Sequence, residues 1–209
     1  MMRYVFLIVF VMLTCASLAQ PKDTIDYYSD GTVRGKGLVF RGAKEGPWTY
    51  YYSSGQVSAT EQYESGKLHG PVVYYYPRGG LLGKETWVKG ALQDSAWYYH
   101  AGGALERKGM YRNSRYEGTW FHYFTNGRVE RVVRYRDGFP EGETRVYLET
   151  GVLMQSGYYT RGKEAGEWKF FDEHGKIQYE GSYHEGKRVG TWYTFTKKGR
   201  RKIWNYEPN

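Results

Sequence analysis

The sequence has very little cysteine and proline. Cys15 is its single cysteine, which excludes a scaffold held together by disulfides and leaves no paired thiols for a metal site. There are six prolines in 209 residues and no glycine at every third position, so a collagen-like triple helix is excluded as well. No segment repeats apolar residues at the 3.6-residue spacing of an amphipathic helix. These absences leave a chain of strands and turns as the expected class.

Glycine and aromatic residues are abundant instead. The chain has 28 glycines, and 19% of its residues are Phe, Trp or Tyr, whereas glycine is about 7% of an ordinary protein. Aromatic side chains favour the pleated surface of a strand, and glycine supplies the positive φ angles of tight turns. The composition therefore predicts many short strands joined by glycine turns. Charged residues make up 25%, unlike the composition of a disordered chain.

The first 19 residues have the three-part pattern of a secretory signal peptide. A basic residue, Arg3, precedes an apolar run from Tyr4 to Leu13, and a stretch of small residues ends at Ala19. We predict cleavage before Gln20. Cleavage removes only one of the 30 Lys and Arg, which stand against 22 Asp and Glu, so the mature chain stays basic and favours anionic surfaces.

Two other interpretations of this segment stay open. A retained membrane anchor needs about 20 apolar residues, which is more than the apolar run supplies. In the other interpretation Cys15 is the lipidated first residue of a lipoprotein, although Thr14 before it is bulkier than the residue usual at that place. In each case we expect an exported protein, located in the periplasm, at the outer membrane or outside the cell.

A fixed interval of 24 residues organises the rest of the chain. Seven units fill residues 42–209, and a degenerate repeat or cap precedes them over residues 20–41. The units open at Gly42, Gly66, Gly90, Ser114, Gly138, Gly162 and Gly186. A constant period of this length is typical of repeat proteins, in which each unit stacks on its neighbours.

Each unit carries aromatic residues at constant positions. The first is Trp48, Trp120, Trp168 or Trp192, replaced in the other units by Val72, Ala96 and Thr144. The next, which we call the aromatic ladder, is aromatic in every unit: Tyr51, Tyr75, Tyr99, Tyr123, Tyr147, Phe171 and Phe195. A later aromatic closes six units: Tyr63, Trp87, Tyr111, Tyr135, Tyr159 and Tyr183. The ladder has two interpretations, packing along a sheet and a stacking platform for sugar rings or a peptide.

The spacing predicts two strands in each unit. In one unit the first strand begins at Trp120, the chain turns at Thr125-Asn126-Gly127, and the second strand runs from Arg128 to about Tyr135. Asn-Gly is a strong hairpin signal. We therefore predict an all-β fold, an elongated single-sheet antiparallel meander of β-hairpin repeats with roughly fourteen to sixteen strands.

The length of the hairpin loop decides which aromatics share a face of this sheet. A two-residue loop, which Asn126-Gly127 favours, puts the Trp position and the late Tyr on one face and the aromatic ladder on the other. A three-residue loop shifts the pairing by one residue and merges the two sets. We expect the two-residue loop.

The stretch from Gly42 to Gly55, GAKEGPWTYYYSSG, resembles the MORN repeat. More closely, it is similar to bacterial MORN-variant proteins often labelled as antitoxins of toxin–antitoxin systems, and the resemblance extends over residues 27–209. It implies an elongated sheet of β-hairpins that serves as a scaffold and is sometimes proposed to contact membrane lipids. It transfers no catalytic residue. The antitoxin label implies a cytosolic role, which the signal peptide contradicts, so an antitoxin or immunity-type function is the least favoured.

The residues form no recognisable catalytic or metal-binding motif. The five histidines occupy five different repeat positions without the spacing of metal ligands. No serine lies in a G-x-S-x-G turn. We therefore expect no enzyme activity, no metal and no cofactor.

We expect a scaffold that binds another protein of the bacterial cell envelope through one face of the sheet. The alternative is binding of a glycan, the cell wall or anionic lipid through exposed aromatics and a basic turn. Candidate contacts for an anionic surface in that turn are Lys197, Lys198, Arg200, Arg201 and Lys202. A nucleic-acid partner is not expected for an exported protein.

Overall fold

The computed structural model describes residues 20–196 and 198–206, and every regular element within these ranges is a β-strand. The signal-peptide prediction lies outside the described residues. The strands are β1 (Lys22–Tyr27), β2 (Val33–Phe40), β3 (Ala43–Tyr51), β4 (Val57–Glu64), β5 (Lys67–Leu68), β6 (Gly70–Tyr75), β7 (Leu81–Val88), β8 (Ala91–Tyr99), β9 (Leu105–Arg112), β10 (Arg115–Tyr123), β11 (Val129–Arg136), β12 (Phe139–Tyr147), β13 (Leu153–Thr160), β14 (Lys163–Phe171), β15 (Ile177–His184), β16 (Lys187–Thr196) and β17 (Gly199–Tyr206).

All strands belong to one antiparallel sheet, and each pairs with its neighbours along the chain. β4 pairs with both β5 and β6, which are two parts of one strand interrupted at His69. The predicted all-β meander is confirmed. Among the described residues, β1 and β17 are the two edges of the sheet.

The fifth residue of each unit, a glycine in every unit except for Asp94, sits at a bulge, which in four units positions the tryptophan two residues later. In β10 the pairing moves from Glu117 opposite Met110 to Phe121 opposite Lys108, so β10 accommodates two extra residues. Gly118 in this bulge has a φ of 67°, in the left-handed region where glycine carries no steric penalty. The Met110 carbonyl then accepts a hydrogen bond from the Trp120 indole at 3.0 Å. The same bond is made by Trp48 and Trp168.

The expected two-residue hairpin loop is wrong. The Phe124 N–H donates to Arg128 O at 2.9 Å and the Gly127 N–H donates to Phe124 O at 2.9 Å, which leaves a three-residue loop of the type I plus bulge class. The pairing then shifts by one residue between His122 and Tyr123. This second bulge cancels the shift that the longer loop introduces.

The faces are therefore those expected for a two-residue loop, although the loop itself is longer. One face, the Trp face, carries the Trp positions and the late aromatics; Trp168, for example, stacks with Phe170 and meets Tyr183 edge-on. The other face, the Tyr face, carries the aromatic ladder. The centre of the core is a row on the Trp face, in which Trp48, Val72, Ala96, Trp120, Thr144, Trp168 and Trp192 are all buried, and Ala59, Leu92, Tyr98 and Val133 are buried as well.

Each tryptophan of the row packs over a glycine on the preceding strand. A Cβ added at Gly109 would lie 2.2 Å from the Trp120 ring, and one at Gly157 would lie 2.1 Å from the Trp168 ring. The pairs are Gly37 with Trp48, Gly109 with Trp120, Gly157 with Trp168 and Gly181 with Trp192. The units without tryptophan have a larger residue at the glycine place: Glu61 before Val72, Glu85 before Ala96, and Val133 before Thr144. A large residue on one strand is thus matched by a small one on the next.

Candidate interaction face

The aromatic ladder lies together on the Tyr face, and all seven residues are half-buried. Side chains of neighbouring strands cover part of each ring. Lys36 Nζ is 5.5 Å from the centroid of the Tyr51 ring, and Lys108 Nζ is 5.9 Å from that of Tyr123, within cation–π distance. The ladder residues therefore take part in packing along the sheet, and the rest of each ring faces solvent.

A second periodic feature joins each hairpin turn to the next hairpin along the sheet. The hydroxyl groups of Tyr52 and Tyr76 donate to the carbonyls of Tyr75 and Tyr99 at 2.7 Å. Tyr28 makes the same bond one unit earlier, and His100 Nε2 lies 3.0 Å from Tyr123 O one unit later. Sequence reasoning missed this series, although adjacent tyrosines at one repeat position were its visible signal.

An apolar patch is exposed in the middle of the Tyr face. We define the central patch as Trp97, Met110 and Phe121, with Lys108 beside them. Trp97 and Met110 are exposed, and the four side chains line a hollow of about 290 Å³. Trp97 and Met110 are not ladder residues, so sequence reasoning did not single them out.

A larger, more polar hollow lies farther along the Tyr face. It has a volume of about 720 Å³ and is lined by Tyr147 and Tyr158, with Arg145, Glu167 and Lys169 among the charged residues. Tyr158 is exposed. Lys169 pairs with Glu167 at 3.4 Å, so both charge signs are present. We call this site the polar hollow.

Two carboxylates occupy the Trp face where the tryptophans are missing. The Tyr63 hydroxyl donates to Glu61 at 2.5 Å, and the Tyr98 hydroxyl donates to Glu85 at 2.5 Å. Burial and these hydrogen bonds raise the pKa of both phenols well above the ordinary value. The tyrosines therefore stay protonated at neutral pH and act as hydrogen-bond donors.

His122 lies on the same face, opposite Arg107 on one side and Arg131 on the other. Burial, the largest cause, and the two neighbouring guanidinium groups together lower the pKa of His122 to about 4. The imidazole is therefore neutral at pH 7. Like the phenols, it does not titrate near neutral pH, where a general base is most effective.

The residues of the basic turn have different surroundings in the structure. Arg200 pairs with Glu180 at 2.8 Å, and its guanidinium lies 3.5 Å from the Tyr193 ring centroid. Lys198, Arg201 and Lys202 are exposed. Lys197 lies outside the described residues.

Within residues 20–196 and 198–206, no group of three His, Cys, Asp or Glu side chains is placed to hold a metal ion. The same part of the chain contains no helix that is long and apolar enough to span a membrane.

A family model for the MORN repeat variant matches two segments of the chain, residues 44–65 and 165–185. A search of curated proteins found no match. Among solved structures, the chain is similar to TcdB2-TccC3-Cdc42, with 10% identity and a TM-score of 0.24 over 86% of this chain and 13% of that one. It is similar to TcdB2-TccC3 with 12% identity and a TM-score of 0.22, over 86% of this chain and 14% of the other. The chain thus spans a small part of those structures, and likenesses this weak carry no argument.

Proposed function

We propose, from the premise that this chain is a MORN-repeat protein, that it is an exported, non-enzymatic scaffold that binds another protein of the bacterial cell envelope through the Tyr face. The central patch is the observation that carries this proposal. Trp and Met are enriched in the cores of protein interfaces, and exposed apolar clusters on soluble proteins commonly mark binding sites. The half-buried ladder flanks the patch and supplies a broad aromatic surface around it.

A photo-cross-linking residue at position 97 tests this proposal in the native envelope. We expect one reproducible protein partner from position 97 and none from position 173, where Glu173 is exposed in a turn. Trp97→Ala should weaken capture of that partner, whereas Phe139→Ala, which removes an exposed aromatic outside the patch, should not. If position 97 gives no reproducible protein adduct, the scaffold proposal fails.

Export is supported by the signal-peptide pattern of residues 1–19 and is tested separately. Cell fractionation of the full chain should place it outside the cytoplasm, and deletion of residues 2–19 should leave it in the cytoplasm. A cytoplasmic full chain would contradict export without affecting the interaction at the central patch.

The polar hollow favours a second candidate function, glycan binding. An exposed tyrosine ring flanked by charged hydrogen-bonding groups suits a sugar ring, which stacks on aromatics and bonds through its hydroxyls. Isothermal titration with envelope glycans should show binding that Tyr158→Ala abolishes and Phe139→Ala preserves. An absence of heat with every glycan, or equal binding by both variants, would contradict this function.

A further inference from the structure

The two edges of the sheet are built to fit each other. Every pair of neighbouring strands in the sheet is antiparallel. With β5 and β6 counted as one strand, the number of strands is even, so the first strand, β1, and the last, β17, run in opposite directions. β1 is the first strand of a hairpin and β17 is the second strand of another. We propose that β17 of one copy pairs with β1 of a second copy, in the register found at the internal junctions between repeats.

The register follows from the internal hairpins. On β17, Arg201 lies opposite Thr194, as Tyr179 lies opposite Phe170 one repeat earlier. Arg201 therefore holds the place of Tyr179. The pairing shifts by one residue between Trp192, which lies opposite Trp204, and Tyr193, which lies opposite Lys202.

This register brings opposite charges together. Tyr179 lies opposite Thr194 of the following hairpin, and Asp26 holds the place of Thr194 on β1. Pairing between copies thus sets Arg201 opposite Asp26, which lies 3.7 Å from Arg34 of its own chain, and Arg201 is in reach of a charge-assisted hydrogen bond to the same carboxylate. Two β17 edges would instead bring cations together, and charged edge strands are a common device against such pairing. The charges select the head-to-tail arrangement.

The side-chain sizes at the two edges are also complementary. Trp204 lies opposite Trp192, at the place that Gly181 holds opposite Trp168. Inside the chain, the next tryptophan packs over that glycine. At the junction between copies, Thr24 of the second copy holds the place of that next tryptophan. The large side chain is therefore on β17 and the small one on β1. Trp204 is 58% exposed in the single chain, and Thr24 leaves room to cover it.

The Tyr face gives a third match. Lys202 holds on β17 the place that Lys108 holds on β9, and Lys108 covers the ladder residue Tyr123. Tyr27 is the corresponding ladder position on β1, and it is 55% exposed. Pairing between copies sets Lys202 over Tyr27 in the same way. Because the two edges differ, this contact is heterologous and generates chains of copies or closed rings.

Sedimentation velocity of the full chain, purified as the host processes it, tests the charge match. We expect the mean mass to rise with concentration beyond that of a dimer. Asp26→Arg and Arg201→Asp should each weaken association by about tenfold or more, since like charges then meet. An equimolar mixture of the two variants should associate like the native chain, because both of its junctions pair opposite charges. Glu173→Arg and Arg78→Asp, at exposed turns, are controls for the change in net charge. A chain that stays monomeric, or single variants that associate as the native chain does, would overturn the proposal.

The size match has its own test. Thr24→Trp should weaken association by about tenfold or more, because it meets Trp204 at a packed position. The double variant Thr24→Trp, Trp204→Gly should recover association, since it reproduces the tryptophan-over-glycine pair found inside the sheet. Circular dichroism of each variant confirms that the sheet is intact. If the double variant associates no better than Thr24→Trp, the proposed register is wrong.

Discussion

At the scale of single residues, the row of tryptophans is set by what lies beneath it. A single-layer sheet has no second layer to bury an indole, and here the ring is covered by its neighbours on the same face and rests on a glycine backbone. Tyr111 and Tyr116 meet Trp120 edge-on, with centroids 5.0 and 4.4 Å away. Arg188 lies over Trp192 in the corresponding place of the last hairpin. Burial of each tryptophan therefore depends on residues of two adjacent strands.

Gly109→Ala should destabilise the fold, because its Cβ would stand 2.2 Å from the Trp120 ring. We expect a loss of about 2–3 kcal/mol in the free energy of unfolding, measured with urea. Gly102→Ala is the control, since a Cβ there has no neighbour within 4 Å, and should change stability by less than about 0.5 kcal/mol. Adding Trp120→Val to Gly109→Ala should recover part of the loss. Equal stability of the two alanine variants would contradict the tryptophan–glycine account.

His122 gives the fold a pH dependence. Its folded pKa of about 4 lies below the ordinary 6.5, so between these values the unfolded chain binds more protons and stability falls as the pH falls. The loss that accumulates between pH 6.5 and pH 4 should be about 1–2 kcal/mol, after allowance for solvent screening of a half-buried group. His122→Tyr, the residue found at this position in three other units, should remove this part of the loss. Urea unfolding at pH 7 and pH 4.5 measures it, with His174→Tyr in an exposed turn as the control.

At the scale of the hairpin, the sequence predicted the strands and their faces but not the loop. Asn126-Gly127 indicates a tight turn, and both two- and three-residue loops use a glycine with positive φ. The choice depends on the bulge between His122 and Tyr123, which has no residue signature of its own. The faces were predictable because alternation within each strand fixes them once the Trp position is buried. The central patch was not, because Met110 does not recur in the other units and the position of Trp97 is aromatic again in only two of them, at Phe121 and Tyr193.

The tyrosine bonds between hairpins should contribute measurably to stability. Tyr52→Phe removes the donor to Tyr75 O at 2.7 Å and leaves the ring in place. We expect a loss of about 1 kcal/mol in the free energy of unfolding. Tyr158→Phe is the matched control, because no hydrogen bond to that hydroxyl exists in the described part of the chain. A loss of equal size in both variants would show that the bond between turns contributes nothing specific.

At the scale of the whole molecule, the repeats behave as a one-dimensional stack. Contacts run between adjacent strands, so the stability of such an array is close to a sum of unit and junction contributions. The 24-residue period was readable from the glycines and aromatics. The coupling between a tryptophan and the glycine eleven residues earlier was equally present in the sequence. It was missed because it links two units rather than marking one, and only the pairing of strands shows that the two residues touch.

That coupling predicts which repeats can be removed. Deletion of residues 162–185 keeps the period and brings Trp192 over Gly157, which reproduces the tryptophan-over-glycine pair of the native junctions. Deletion of residues 138–161 also keeps the period, but it brings Trp168 over Val133. Both chains should form the sheet, and the second should be less stable to urea by about 1–3 kcal/mol, because the valine overpacks the junction. Val133→Gly should stabilise the second deletion chain, whereas in the full chain, where Val133 packs beside Thr144, it should destabilise. Equal stabilities of the two deletion chains, or the same sign of the Val133→Gly effect in both backgrounds, would show that the junctions are not specified by this pair of residues.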